Sequence, residues 1–391
     1  MNAVLIVFLK ECRESLRDRR VLINALLLGP LLGPLLFVIL LRLTIARELA
    51  QADRALPVAI VGAERAPNLI AALRAQGLEP LPAEADVEAA VRAQRLDLAL
   101  RITDSYAADW QAGRPAQVEL IYDSSRRDAG AQVQRLRAML ENYSRRTGAL
   151  RLMARGLAPS LGAALAVAAR DQATPQGRGA LLFAMLPYFL ILSAFVGGLW
   201  LAIDSTAGER ERASLEPLLV NPVTRARILA GKVLATSAFS LASLVLSLLA
   251  FMVAGHFLPA GELALSLRLG PLVVGTILPI MIPLLLLLVV AQILVTSFAS
   301  TAREAQTYLS LLQLLLVIPS VVLSVLPIKP QLWMYAVPLL GQQLSIVQLL
   351  RGETLSASAP GLCAAVTLLA AVAAFHYARR NYESERLALS A

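Results

Sequence analysis

Residues 207–232 read AGERERASLEPLLVNPVTRARILAGK. The stretch lies between two long apolar runs, residues 179–203 and 233–255. Each run is long enough to cross a bilayer as a helix, which takes about 20 apolar residues. A polar island between two spans must emerge on one side of the membrane. It is dense in Glu and Arg, and Pro217 and Pro222 divide it into two short helical pieces. Basic residues alone are enough to fix topology. The three carboxylates Glu209, Glu211 and Glu216 therefore need a different reason. Alternating charges beside Leu215, Leu218 and Leu219 suit a protein partner, so the island reads as a docking element on the cytoplasmic face.

The rest of the composition supports this membrane frame. Of 391 residues, 57% are hydrophobic, and the mean hydropathy is +0.66. A soluble domain has about 45–50% apolar residues. The excess sits in long uncharged runs, so the chain is expected to be a polytopic membrane protein in contact with the lipid bilayer. The net charge of +9 would suggest nucleic acid in a soluble protein. Here the basic residues cluster at helix ends, where they set topology, and no nucleic-acid partner is expected. Cys12 and Cys363 form neither a disulfide framework nor a metal-type spacing. His256 and His376 both fall at ends of apolar runs.

Residues 1–20 hold Lys10, Arg13, Arg17, Arg19 and Arg20. Val4, Leu5, Phe8, Leu9, Cys12 and Leu16 recur at helical spacing, which predicts an amphipathic helix on the cytoplasmic membrane surface. Residues 21–41 form the first span, interrupted by Pro30 and Pro34. Its apolar run exceeds the ~7–15 residues of a signal peptide, so it reads as an uncleaved anchor. Residues 42–178 are polar and alternate strand-like with helix-like patterns. Strands are expected at 57–61, 96–102 and 116–122, and helices at 68–76, 86–95, 104–111 and 128–153. That alternation predicts a small α/β domain, extracytoplasmic because one span has been crossed.

Further spans are expected at 179–203, 233–255, 271–297, 305–326 and 360–377, six in all. Residues 179–377 thus hold spans two to six, with the cytoplasmic coupling loop at 204–232. The broken outer segment 327–359 contains Trp333, Tyr335, Pro338, Gly341, Gln342 and Gln343, and suits a re-entrant element. The tail, 378–391, begins near Arg379 and Arg380 and is cytoplasmic by charge. The expected fold class is an α-helical polytopic membrane protein with six transmembrane helices. A small α/β extracytoplasmic domain is inserted between the first two.

No Walker A loop is present. Gly231 and Lys232 are followed by Val233, and Ala226 stands where the first glycine is required. No G-x-S-x-G, H-E-x-x-H or C-x-x-C occurs, and no residue reads as catalytic or metal-ligating. An ion-driven carrier would place charges mid-membrane, and none lies near the centre of an expected span. The intramembrane polar residues are Asn24, Gln292, Thr296, Gln306 and Gln313. Their ordinary role is interhelical hydrogen bonding, about 1 kcal/mol each. The functional alternative is a polar lining for a substrate path.

Residues 208–232, GERERASLEPLLVNPVTRARILAGK, resemble the first cytoplasmic loop of type 2 ATP-binding-cassette permeases, in particular the Nat-type sodium-extrusion branch. Ala213 and Ser214 stand where the usual pattern has Gly-Thr. A second match is SFASTAREAQTY at 297–308. A third comprises LDLALRITDSY at 96–106 and AGRPAQVELIYD at 112–123. The resemblance implies a permease homodimer or heterodimer served by two separate ATPase subunits. ATP and Mg would bind those subunits, with no cofactor on this chain. It implies a bacterial inner membrane location, both termini cytoplasmic, and efflux of sodium or of a drug, lipid or peptide. The family's ATPase-coupling helix falls here on Gly208, Glu209, Arg210, Glu211, Leu215 and Glu216, and helix 1–20 would also touch the ATPase. Residues 333–351 correspond to outer re-entrant helices. A reading of another class is a membrane-anchored ligand-binding sensor or immunity protein acting through the extracytoplasmic domain without an ATPase.

Overall fold

The computed structural model describes residues 3–53, 55–84, 86–123, 127–162, 185–212, 223–256, 270–325, 330–353, 355 and 358–383. The chain forms two compact units, Met1–Thr44 with Gln172–Ala391, and Ile45–Asp171. Helix α1, Ala3–Arg17, is amphipathic and presents two faces. Val7, Glu11 and Ser15 turn inward, while Leu5, Ile6, Leu9 and Leu16 stay exposed. A π-turn, Ile23–Leu28, leads into α2, Gly29–Asp53, and Pro34 sits inside that helix without ending it.

The second unit alternates strand and helix: β1 (Leu56–Val61), α3 (Pro67–Ala75), β2 (Leu78–Pro82), α4 (Val87–Arg92), β3 (Leu98–Ile102), α5 (Tyr106–Gln111), β4 (Val118–Tyr122) and α6 (Arg127–Ala154). The strands lie in the order β2-β1-β3-β4. β1 is parallel to β2 and β3, and β4 is antiparallel to β3. Successive side chains alternate between faces. Val58, Ile60, Leu98, Leu100 and Ile102 pack with Leu69 and Leu73 of α3 and Val133 and Leu136 of α6. Ala59 and Ala99 pack instead with Val87 and Val91 of α4. The parallel strands are therefore covered on both faces, as such strands require. Three strands fall where the alternation predicts. β2 escapes it because Pro80 and Pro82 read as loop; proline is tolerated there because β2 is an edge strand.

The remaining helices belong to the first unit. Helix α7, Leu186–Ile203, continues through a π-turn, Asp204–Gly208, into a short turn, Glu209–Glu211. Then come α8 (Arg225–His256), α9 (Pro271–Thr296), α10 (Ala302–Val325), α11 (Leu340–Leu350) and α12 (Ser358–Glu383). Among the described residues, five helices are long and apolar enough to cross a membrane: Ile23–Leu43, Leu186–Glu211, Arg225–Gly255, Pro271–Thr296 and Ser358–Tyr382. The span expected at 305–326 coincides with α10, which is not one of the five. Its first half carries Arg303, Glu304, Gln306, Thr307, Ser310 and Gln313. Within the expected re-entrant segment, the turn Leu332–Ala336 and the 11-residue α11 are too short to span.

Helix α7 is the hub of this unit. Its apolar window is 72% buried, against 17% for the first span and 22% for the last. Small residues make that possible. A Cβ on Gly198 would collide with Ser240 Oγ of α8 and stand 2.9 Å from Gln292 Oε1 of α9. Ser193 Oγ donates to the Ser243 carbonyl across the same seam at 3.0 Å. Without such small side chains the helix backbones could not approach so closely. Gly198→Leu should therefore overpack the α7–α8 seam and destabilise by about 1–3 kcal/mol or more. Leu249→Ala, on the exposed side of α8, should change little. Thermal unfolding of the detergent-purified variants compares the two, and equal midpoints would refute the seam.

Candidate functional site

Past Ile203 the sequence turns from apolar to DSTAGERE, yet the helix does not stop. The π-turn carries it on, and Gly208 and Glu209 remain buried. Lys232, on α8, is fully buried, and its ammonium donates to the Glu209 carboxylate and to the Ser205 carbonyl. Lys10 of α1 donates to the other Glu209 oxygen at 2.8 Å. Glu11, 2% exposed, lies 3.8 Å from Lys232 and 3.2 Å from Lys10. Two ammoniums and two carboxylates thus form one largely buried set, with the exposed Glu14 carboxylate 3.4 Å from Lys10 at its edge. Gly231 lets α1 come this close, since a Cβ there would meet Val7 Cβ at 2.7 Å.

A second layer of contacts surrounds the set. The Arg210 guanidinium donates to the carbonyls of Ala299 and Ser297, at 3.0 and 3.1 Å. The Glu211 carboxylate accepts from the Ala302 N–H at 2.8 Å. Asn381 donates to Ser297 Oγ at 2.9 Å, and Arg225 donates to the Tyr382 carbonyl at 3.0 Å. Thr301 caps α10 by accepting the Glu304 N–H, while the Glu304 carboxylate accepts the Ser300 N–H. Residues 208–232 and 297–308, two stretches far apart in sequence, therefore meet through Arg210. Burial pushes the Glu11 carboxyl above the ordinary carboxylate range; the Lys232 charge opposes this and the Glu209 charge adds to it. Burial pulls the Lys10 ammonium down, but its hydrogen bond to Glu209 and the Glu11 charge outweigh that, so its pKa is raised.

The residues expected to couple to the ATPase differ in exposure. Glu209 is 4% exposed, Arg210 is half-buried on backbone carbonyls, and Gly208 is buried. Only Glu211 of these four is exposed, and it holds Ala302. The physical reason is that an unpaired buried carboxylate costs several kcal/mol, so the chain supplies its own cations. Leu215, Glu216, Pro217 and Pro222 lie outside the described residues. The expected boundaries also move: the second helix runs past Ile203 to Glu211, and the third begins at Arg225 rather than residue 233.

The polar residues of the expected path do not gather. Gln292 is fully buried and donates to the Phe195 carbonyl at 2.6 Å; its Oε1 has no partner among the described residues. Thr296, one turn on, donates to the Gln292 carbonyl at 2.8 Å. These two share the α7-facing side of α9. Asn24 sits in the first π-turn, while Gln306 is exposed and Gln313 half-buried on α10. Lys10, Glu11 and Lys232 are the members that sequence reasoning missed. Two signals mark them: Glu11 is a carboxylate spaced four residues from both Val7 and Ser15, and Gly231 directly precedes Lys232. Among the described residues, no group of His, Cys, Asp or Glu could hold a metal ion.

Residues 25–375 match the profile of the ABC-2 family transporter proteins. The chain is 26% identical over 352 residues to the ABC transporter permease protein NatB of Bacillus subtilis (strain 168), covering 88% of this chain and 89% of that one. No solved structure matches.

Two substitutions test the ionic set. Lys232→Met leaves Glu209 and Glu11 without their central cation and should destabilise by about 3–5 kcal/mol. Glu11 binds its proton more tightly folded than unfolded, so stability falls as pH rises from its ordinary 4.5 through the raised value. Glu11→Gln should remove that fall. Melting midpoints measured from pH 4.5 to neutrality check this, and a Gln variant that tracks the wild type throughout sinks the assignment.

Proposed function

The chain belongs to the ABC-2 family of transporter proteins, and on that premise we propose that it is the membrane subunit of an ATP-driven exporter. Separate ABC ATPase subunits bind ATP and Mg and hydrolyse the nucleotide. Their closure pushes on residues 213–222, where Leu215 and Glu216 make the contact. The carrying observation is the buried Glu209–Lys232 pair, shared with Lys10 of α1. It ties together the two helix ends that flank the loop. Sliding α7 past α8 would separate buried charges, at a cost of several kcal/mol. The push therefore moves α1, α7 and α8 as one body. Arg210 hands the displacement to the junction between α9 and α10.

In this reading α10 is the fifth of six spans and both termini are cytoplasmic. The Ile45–Asp171 unit lies outside, and α11 belongs to a re-entrant gate on the outer face. Two permease chains, identical or paralogous, enclose the path. Sodium is the substrate that the likeness to the sodium-extrusion branch suggests, with Gln292 Oε1 as a neutral oxygen available within the spans. Drugs, lipids and peptides are the competing cargoes.

The experiment reconstitutes the chain with its cognate ATPase in proteoliposomes and replaces residues 215–218 by Gly-Ser-Gly-Ser. The expected outcome is an intact permease with an unchanged melting midpoint and at least tenfold lower ATP turnover. Normal turnover in that variant would mean that the loop does not couple. Sodium-stimulated hydrolysis, absent with potassium, identifies the cargo. Stimulation by a lipid or drug alone would replace sodium.

A further inference from the structure

The Ile45–Asp171 unit contains a cleft of about 420 Å³, within the size range of small-molecule sites. It lies at the β4 side of the sheet, between α5, the segment that enters β4, and α6. Val118, which pairs with Ile102 at the end of β3, lines it, as does Tyr106 just after β3.

One face of α6 forms a wall of the cleft: Leu140, Tyr143, Ser144, Thr147, Gly148 and Arg151, spaced as one helical stripe. A stripe serving only to pack a core would carry large apolar side chains throughout. Here the middle is Ser, Thr and Gly, and a Cβ at Gly148 would meet no atom within 4 Å. The space is thus built into the sequence. One end of the cleft is closed by aromatic rings: Trp110 of α5 stacks with Tyr106 at 5.8 Å and with Tyr143 of α6 at 5.9 Å, their planes within 12° and 18° of parallel.

Charge at the cleft favours one sign. The Arg151 guanidinium lies 4.3 Å over the Trp110 ring and donates to the Trp110 carbonyl at 3.0 Å. That fixes its plane and leaves further N–H groups of its five for a ligand. Arg114 is already paired with Asp109 at 2.7 Å. Glu141, the acidic lining residue, is exposed to solvent, whereas Arg151 is half-buried. The less screened charge is therefore positive.

We propose that this cleft binds an organic anion with a flat apolar body, its carboxylate or sulfonate on Arg151 and its body in the open space beside Thr147 and Gly148 of α6. The site is separate from the ionic set and does not depend on the transport reading.

The test uses the full chain in lipid nanodiscs, with empty nanodiscs subtracted, titrated calorimetrically with 2-naphthoate and with neutral 2-naphthamide. Saturable 1:1 binding is expected, with naphthoate at least tenfold tighter, since a charge-assisted hydrogen bond is about twice as strong as a neutral one. Arg151→Gln should abolish that preference and leave naphthamide binding intact. Gly148→Leu grows into open space, so it should fold and bind neither probe. Absence of saturable binding, equal affinity for both probes in the wild type, or an undiminished preference in Arg151→Gln would each overturn the proposal. Should Gly148→Leu fail to fold, the Arg151→Gln comparison decides alone.

Discussion

Charges can leave water only if each meets its opposite, and that constraint orders one end of the helical unit. Lys232 is fully buried, so Glu209 must reach it, and α7 must stay helical through a stretch that is no longer apolar. Glu209 has a second oxygen, which Lys10 takes, and this docks α1. Glu11 then rides inward on the same helix. Buried ion pairs often add little net stability over an apolar substitute. Their effect here is on register, because few relative placements of α1, α7 and α8 satisfy all four charges at once.

Membership in the ABC-2 transporter family gives this arrangement its context. The family's members are transporter proteins, and this sequence contains no Walker A loop. Glu209, Lys232, Lys10 and the Arg210 contacts to Ser297 and Ala299 join α1, α7 and α8 to the junction between α9 and α10. Arg210 joins the 208–232 and 297–308 stretches, one supplying the guanidinium and the other two backbone carbonyls.

Much of the architecture was legible because apolar runs and period-two alternation are local signals. β1, β3 and β4 lie within two residues of their expected bounds, since each is flanked by polar turns. β2 was hidden by Pro80 and Pro82, which are compatible with an edge strand but look like loop. The site was only half legible. Glu209 and Arg210 stood out by their charge, but charge alone does not tell whether a side chain faces solvent or a buried partner. Lys10 and Lys232 looked like topology signals and Glu11 did not stand out, because each has a partner on another helix; the Lys10–Glu209 bond spans 199 residues and leaves no local trace.

The π-turn at Asp204–Gly208 has a geometric consequence of its own. A π-turn accommodates one extra residue in a helical turn, and one residue corresponds to about 100° of rotation about the axis. The membrane body of α7 and its ionic end are therefore set in two different phases. The body keeps Gly197 and Gly198 against α8, while the end, turned by the wide turn, brings Glu209 to Lys232. The same device precedes α2 at Ile23–Leu28. Two helices of this protein thus carry an angular offset next to the basic N-terminal segment and the charged island, and the portions on either side of each π-turn can be aligned independently.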